Sequence, residues 1–175
     1  VAELGRISIA TSSAESSAFA NVSGVSGGIV AVGAVLAEVG QSEDRQSTVK
    51  TDIRSGLMVA DDINIRNNSG TQLRIEAEAG SGGLAAGSAT SATVRGDAAS
   101  LLEIGRTGSM GFLAPGMLDI GAGHSGAVRS EIDNFNATLV GVSGVDSHMT
   151  YRTHVDTRLY GDVLVTASAL DIHNS

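Results

Sequence analysis

Three groups of residues in this 175-residue chain are candidates for chemistry. Arg95-Gly96-Asp97 sets a guanidinium and a carboxylate on either side of a glycine, the tripeptide that an integrin-type receptor reads on an exposed turn. Asp119 and Asp171 each lie between branched apolar residues, in Leu118-Asp119-Ile120 and Leu170-Asp171-Ile172, and so hold equivalent outward positions. Two carboxylates stacked about 5 Å apart repel, and a calcium ion could bridge them. Asp61, Asp62 and Asp162 are candidates for similar surface duty. The histidines His124, His148, His154 and His173 lack zinc-like spacing. His148 and His154 share a parity, but about 20 Å of extended chain separates them, so no metal site is expected there.

Each grouping also has a plainer reading. Gly and Asp are ordinary corner residues, and the first repeat carries Gly40-Gln41-Ser42 at the point where Arg95-Gly96-Asp97 falls. No calcium-binding nonapeptide and no EF-hand loop is present. Gly82-Gly83 lacks the lysine and helix of a phosphate loop, and no nucleophile keeps company with a His and an Asp, so neither catalytic nor cofactor-binding residues are expected. Asn-x-Ser/Thr sequons at Asn21, Asn67 and Asn136 are what a Ser/Thr-rich chain produces by chance.

The elements that must position these residues repeat. A branched-apolar, polar, branched-apolar triplet occurs at Ile7-Ser8-Ile9, Ile63-Asn64-Ile65, Leu118-Asp119-Ile120 and Leu170-Asp171-Ile172, in steps of 56, 55 and 52 residues. Gly27-Gly28-Ile29-Val30-Ala31, Gly82-Gly83-Leu84-Ala85-Ala86 and Ala137-Thr138-Leu139-Val140-Gly141 keep the same beat. Periods of this size mark arrays in which each unit rests on its neighbour. Parallel stacking would set Ile7, Ile63, Leu118 and Leu170 in one aliphatic core column, with about 4.8 Å between layers.

Strand periodicity dominates. From Ile63 to Ser81 the odd positions read as a core face and the even positions, mostly polar, as a water face, with turn chemistry at Asn67-Asn68-Ser69-Gly70-Thr71 suggesting a corner. Ile29 to Val39, Leu84 to Ala92 and Leu139 to Val145 are apolar or small at both parities. Such strands need cover on both faces, from a second layer of the same chain or from another chain. Short strands follow in each unit, and Gly40 to Arg45, Arg95 to Ala98, Arg106 to Met110 and Tyr160 to Asp162 read as turns between them.

Composition narrows the class. Apolar residues make up 42% but aromatic residues only 3%, with 23 Gly and no Trp, so the core must be thin and closely stacked. One Pro leaves the backbone ladders nearly uninterrupted. A net charge of −8 argues against nucleic acid and anionic membranes as partners, and no apolar run reaches the length of a spanning helix. The chain reads as one domain over 1–175, about three repeats, opening at Val1 rather than Met as a piece of a longer array would.

Ile63-Asn64-Ile65, Ser81-Gly82-Gly83-Leu84-Ala85-Ala86-Gly87-Ser88-Ala89 and Glu103-Ile104-Gly105 resemble the repeat regions of bacterial filamentous adhesins, of the filamentous haemagglutinin and leukotoxin-family types. The order of motifs is fullest from Gly82 to Ile120; the third unit departs with Ala137-Thr138 for the double glycine, and Thr107 to Met117 is longer than its counterparts. The resemblance implies an all-β, right-handed parallel β-helix (β-solenoid), exported to the bacterial surface. It implies a structural rod serving attachment or fibre formation, with neighbouring repeats, identical chains, or a host receptor or glycan as partners. A polysaccharide-binding or polysaccharide-cleaving β-helix is the alternative. Its sugar-stacking groove would have to be built from two Tyr and three Phe.

Overall fold

The computed structural model describes residues 5–13, 16–40 and 47–175. Their regular structure is all strand: β1 (Arg6–Ser12), β2 (Ser16–Gly27), β3 (Val30–Gly40), β4 (Ser47–Ile53), β5 (Gly56–Val59), β6 (Asp62–Ile104), β7 (Met110–Leu159) and β8 (Val163–Asn174). Every pairing is parallel. β6 takes β1 to β4 along one edge and β7 along the other; β5 and β8 pair with β7. Among the described residues no helix is long and apolar enough to cross a membrane.

The long strands bend. An extended run of 43 residues, the length of β6, would reach about 140 Å. Yet the Asn67 side chain donates to Ser100 Oγ at 3.2 Å, 33 residues further along the same strand. Each pass of the chain therefore folds back on itself and lies on the pass before it. Ile7 pairs with Ile63, Ile63 with Leu118 and Leu118 with Leu170. Between β6 and β7 the offset is 55 residues from Ile63↔Leu118 to Ile104↔Leu159, interrupted only at the corner residue Leu84.

Alternation fixes what faces inward. Every odd position from Ile63 to Ser81 is buried, and the even positions are exposed or half-buried apart from Gly80. Gly80 is covered because Phe135 of the next layer lies where its Cβ would be. Two apolar clusters result. One is built from Ile63, Ile65, Leu102, Ile104, Met110, Phe112, Leu118 and Ile120. The other is thinner, setting Leu73, Ile75, Ala77 and Ala79 against Val35, Ala37, Val39, Ala92 and Val94. Asn67 is fully buried, and its amide donates to the Val49 carbonyl at 3.0 Å and the Leu101 carbonyl at 2.9 Å as well as to Ser100. These bonds occupy the Asn67 amide nitrogen, while its Oδ1 has no hydrogen-bond partner.

Several expectations change. Asn67 to Thr71 keeps strand pairing to the next layer throughout, while pairing to the first layer is interrupted between Asn68 and Thr71. The expected turn from Gly40 to Arg45 falls largely on 41–46, outside the described residues. Arg106 to Ser109 and Tyr160 to Asp162 do separate strands. The longer Thr107–Met117 segment is absorbed by a register shift between Ala114 and Met117, which spans Pro115, the one residue with no N–H to give the ladder. In the aliphatic column, Ile63 and Leu118 are buried, Ile7 packs against them, and Leu170 is in register with Leu118 but 53% exposed. The strand at Val30–Gly40 is covered on one face only: Val30, Val32 and Leu36 point outward, and Val32 is 80% exposed.

Candidate functional site

The Arg95-Gly96-Asp97 tripeptide is not a turn. It lies inside β6, with Arg95 paired to Gly40 on one edge and Thr150 on the other, and Gly96 and Asp97 paired to Tyr151 and Arg152. Gly96 is wedged between the next layer and the core, since a Cβ there would meet Tyr151 at 2.6 Å and Leu73 at 2.8 Å. Arg95 is paired on both edges, and Gly96 and Asp97 are paired on the β7 edge. Here the glycine serves close packing.

The acidic column is real but faces differently from the expectation. Asn64, Asp119 and Asp171 are in register, yet Asp119 is only 6% exposed rather than projecting into water. Its Oδ2 accepts from Asn64 Nδ2 at 2.9 Å and from the Arg66 guanidinium. Its Oδ1 has no hydrogen-bond partner. His173 joins the two acids: its Nδ1 lies 3.7 Å from Asp119 Oδ1 and 3.6 Å from Asp171 Oδ2. One ligand atom from each of these three residues lies within 4.8 Å of the others, the one such metal-competent group among the described residues.

His173 was not legible from spacing along the chain, but a signal existed. Asp171 and His173 are two apart on a strand and so share a face, and the same 52-residue step that aligns Asp171 with Asp119 aligns His173 with Gly121. The ring of His173 occupies the space beside Gly121, where a Cβ would stand 2.7 Å from Nε2. Nδ1 is thereby turned toward the acids.

The remaining candidates are structural. Asp62 accepts from the Met117 backbone N–H at 3.0 Å and pairs with Arg6; these contacts, the backbone bond foremost, hold its carboxyl below the usual range. Asp61 receives the Gly5 N–H. His124 bridges Ser69 Oγ, at 2.6 Å, and the Tyr151 hydroxyl, and burial lowers its pKa. His154 contacts Asp156 at 3.7 Å, and His148 meets Thr150 at 3.1 Å. Of the sequons, Asn67 is closed off by burial, and Asn136 is half-buried with its amide on the Ala86 carbonyl.

A broad apolar surface completes the outer face. Ile29, Val30, Val32 and Leu36 of the first layer, Leu84 of the second, and Leu139, Val140 and Val142 of the third are all exposed, Leu139 by 83%. Val30, Ala85 and Val140 form one column of this surface, and Val32, Gly87 and Val142 the next. No protein-family model, curated protein or solved structure matches the chain.

Proposed function

We propose that this chain is a segment of a right-handed parallel β-solenoid rod from a bacterial surface filamentous adhesin, acting in attachment or fibre formation. The observation that carries the reading is the constant 55-residue offset between β6 and β7. Layers of equal outline can be stacked repeatedly, so reach grows in proportion to the number of repeats. The work of such a rod is mechanical. Backbone hydrogen bonds link layer to layer, and columns such as Ile7, Ile63 and Leu118 keep water out of the stack.

A further feature favours contact with identical chains. The exposed valines and leucines of the outer face offer apolar area for side-by-side packing. The motif order from Gly82 to Ile120 supplies the likeness to adhesin repeats. A host-cell receptor or glycan is the partner of the assembled rod rather than of the Arg95-Gly96-Asp97 segment.

Electron microscopy of tandem fusions tests the rod. Each added copy of three layers should lengthen a straight particle by about 15 Å, and flexible beads on a string would refute it. Beads coated with the protein should attach to host cells above the level of uncoated beads. Turnover of a polysaccharide without fibres or attachment would favour the polysaccharide-processing alternative.

A further inference from the structure

We propose that Asp119, Asp171 and His173 bind a divalent first-row transition-metal ion of the zinc class, clamping the end of β8 onto β7. Asp119 is built for this. It is held inside the ladder at 6% exposure, and Asn64 and Arg66 engage Oδ2, so the carboxylate is fixed with Oδ1 free of hydrogen bonds. That atom faces His173 Nδ1, which also lacks a hydrogen-bond partner. The separations of 3.7 Å and 3.6 Å from Nδ1 to the two carboxylate oxygens are too long for hydrogen bonds. They are close to the separation of ligands that share an ion at about 2.0–2.2 Å from each.

Charge and ligand type narrow the ion. Two carboxylates against the single guanidinium of Arg66 leave negative charge at the site, which suits a dication. An imidazole nitrogen among three protein ligands selects borderline metals such as zinc over calcium, which takes six to eight oxygens. Asn64 and Arg66 then act as the outer groups that orient a ligating carboxylate. Gly121 gives the imidazole its seat. The competing account is an imidazolium lying between two carboxylates with no ion at all.

Calorimetric titration of the EDTA-treated full chain with zinc, manganese and calcium chlorides near neutral pH separates the two accounts. Zinc should bind at one ion per chain and raise the melting temperature, with calcium weaker. His173→Ala and Asp171→Asn should each weaken zinc binding by on the order of tenfold to hundredfold or more, while His148→Ala and His154→Ala leave it unchanged. Gly121→Ala retains all three ligands but crowds the ring, and should weaken binding as well. Absence of zinc binding by the folded wild-type chain, or affinity unaltered in folded His173→Ala, overturns the proposal.

Discussion

Glu103 shows how this core accommodates charge. Its carboxylate is buried, paired with the Lys50 ammonium of the preceding layer, bonded by the Tyr160 hydroxyl at 2.7 Å and approached by Arg106 at 3.3 Å. Lys50 first, then Tyr160, hold its pKa at about 2, against an ordinary 4.5. A carboxyl depressed in the folded state stabilises the fold above its unfolded pKa, and that stabilisation is lost as pH falls. The loss from Glu103 therefore falls between about pH 4.5 and 2, and urea denaturation across that window should show a shallower decline for Glu103→Gln than for wild type. Equal declines would place the acid sensitivity elsewhere. Sequence periodicity marked Asp119 and Asp171 as a column, because equivalent positions stack. It did not reveal that Asp119 is buried, since burial depends on Asn64 and Arg66 closing over it. The Arg95-Gly96-Asp97 motif misled for the opposite reason: its composition suits a turn, but all three residues pair with Thr150, Tyr151 and Arg152 of the next layer as strand.

The strands are stabilised as a stack rather than singly. Ile65 is fully buried, between Ile9 of the preceding layer and Ile120 of the next. Ile65→Asp would place a carboxylate in that column with no charged partner, at a cost of about 4 kcal/mol or more. Denaturation should then show one cooperative transition at much lower urea. A local loss with the main transition unmoved would argue against coupled layers. The alternation from Ile63 to Ser81 was readable because one face is wholly core, and a period of two survives in composition. The corners were less so. Where the chain bends near Ala98, Ala99 and Ser100 all three are buried, so parity gives no sign of the change in direction. At Gly40 a positive φ of 127° and the Arg95 carbonyl oxygen, 1.7 Å from where a Cβ would stand, exclude a side chain.

For the molecule as a whole, the apolar outer face is the surface through which copies would meet in the rod proposed above. Sequence showed that the Ile29–Val39 region was apolar at both parities but could not say what covers its outer side, because hydropathy does not distinguish a buried neighbour from a partner chain. Val32 and Val142 lie two layers apart in one exposed column. If copies associate through this face, Val32→Lys with Val142→Lys should lower self-association in sedimentation velocity while leaving the melting temperature nearly unchanged. Assembly equal to wild type would show that this face is not the contact. The long offset has a kinetic side as well. A residue whose nearest partner lies about 55 positions away must wait for a large loop to close, at an entropic cost on the order of 3.5 kcal/mol before any contact repays it. The first pair of coils is therefore the slow nucleus. Later segments alight on a ready template, so the chain matures by zippering outward from a seed.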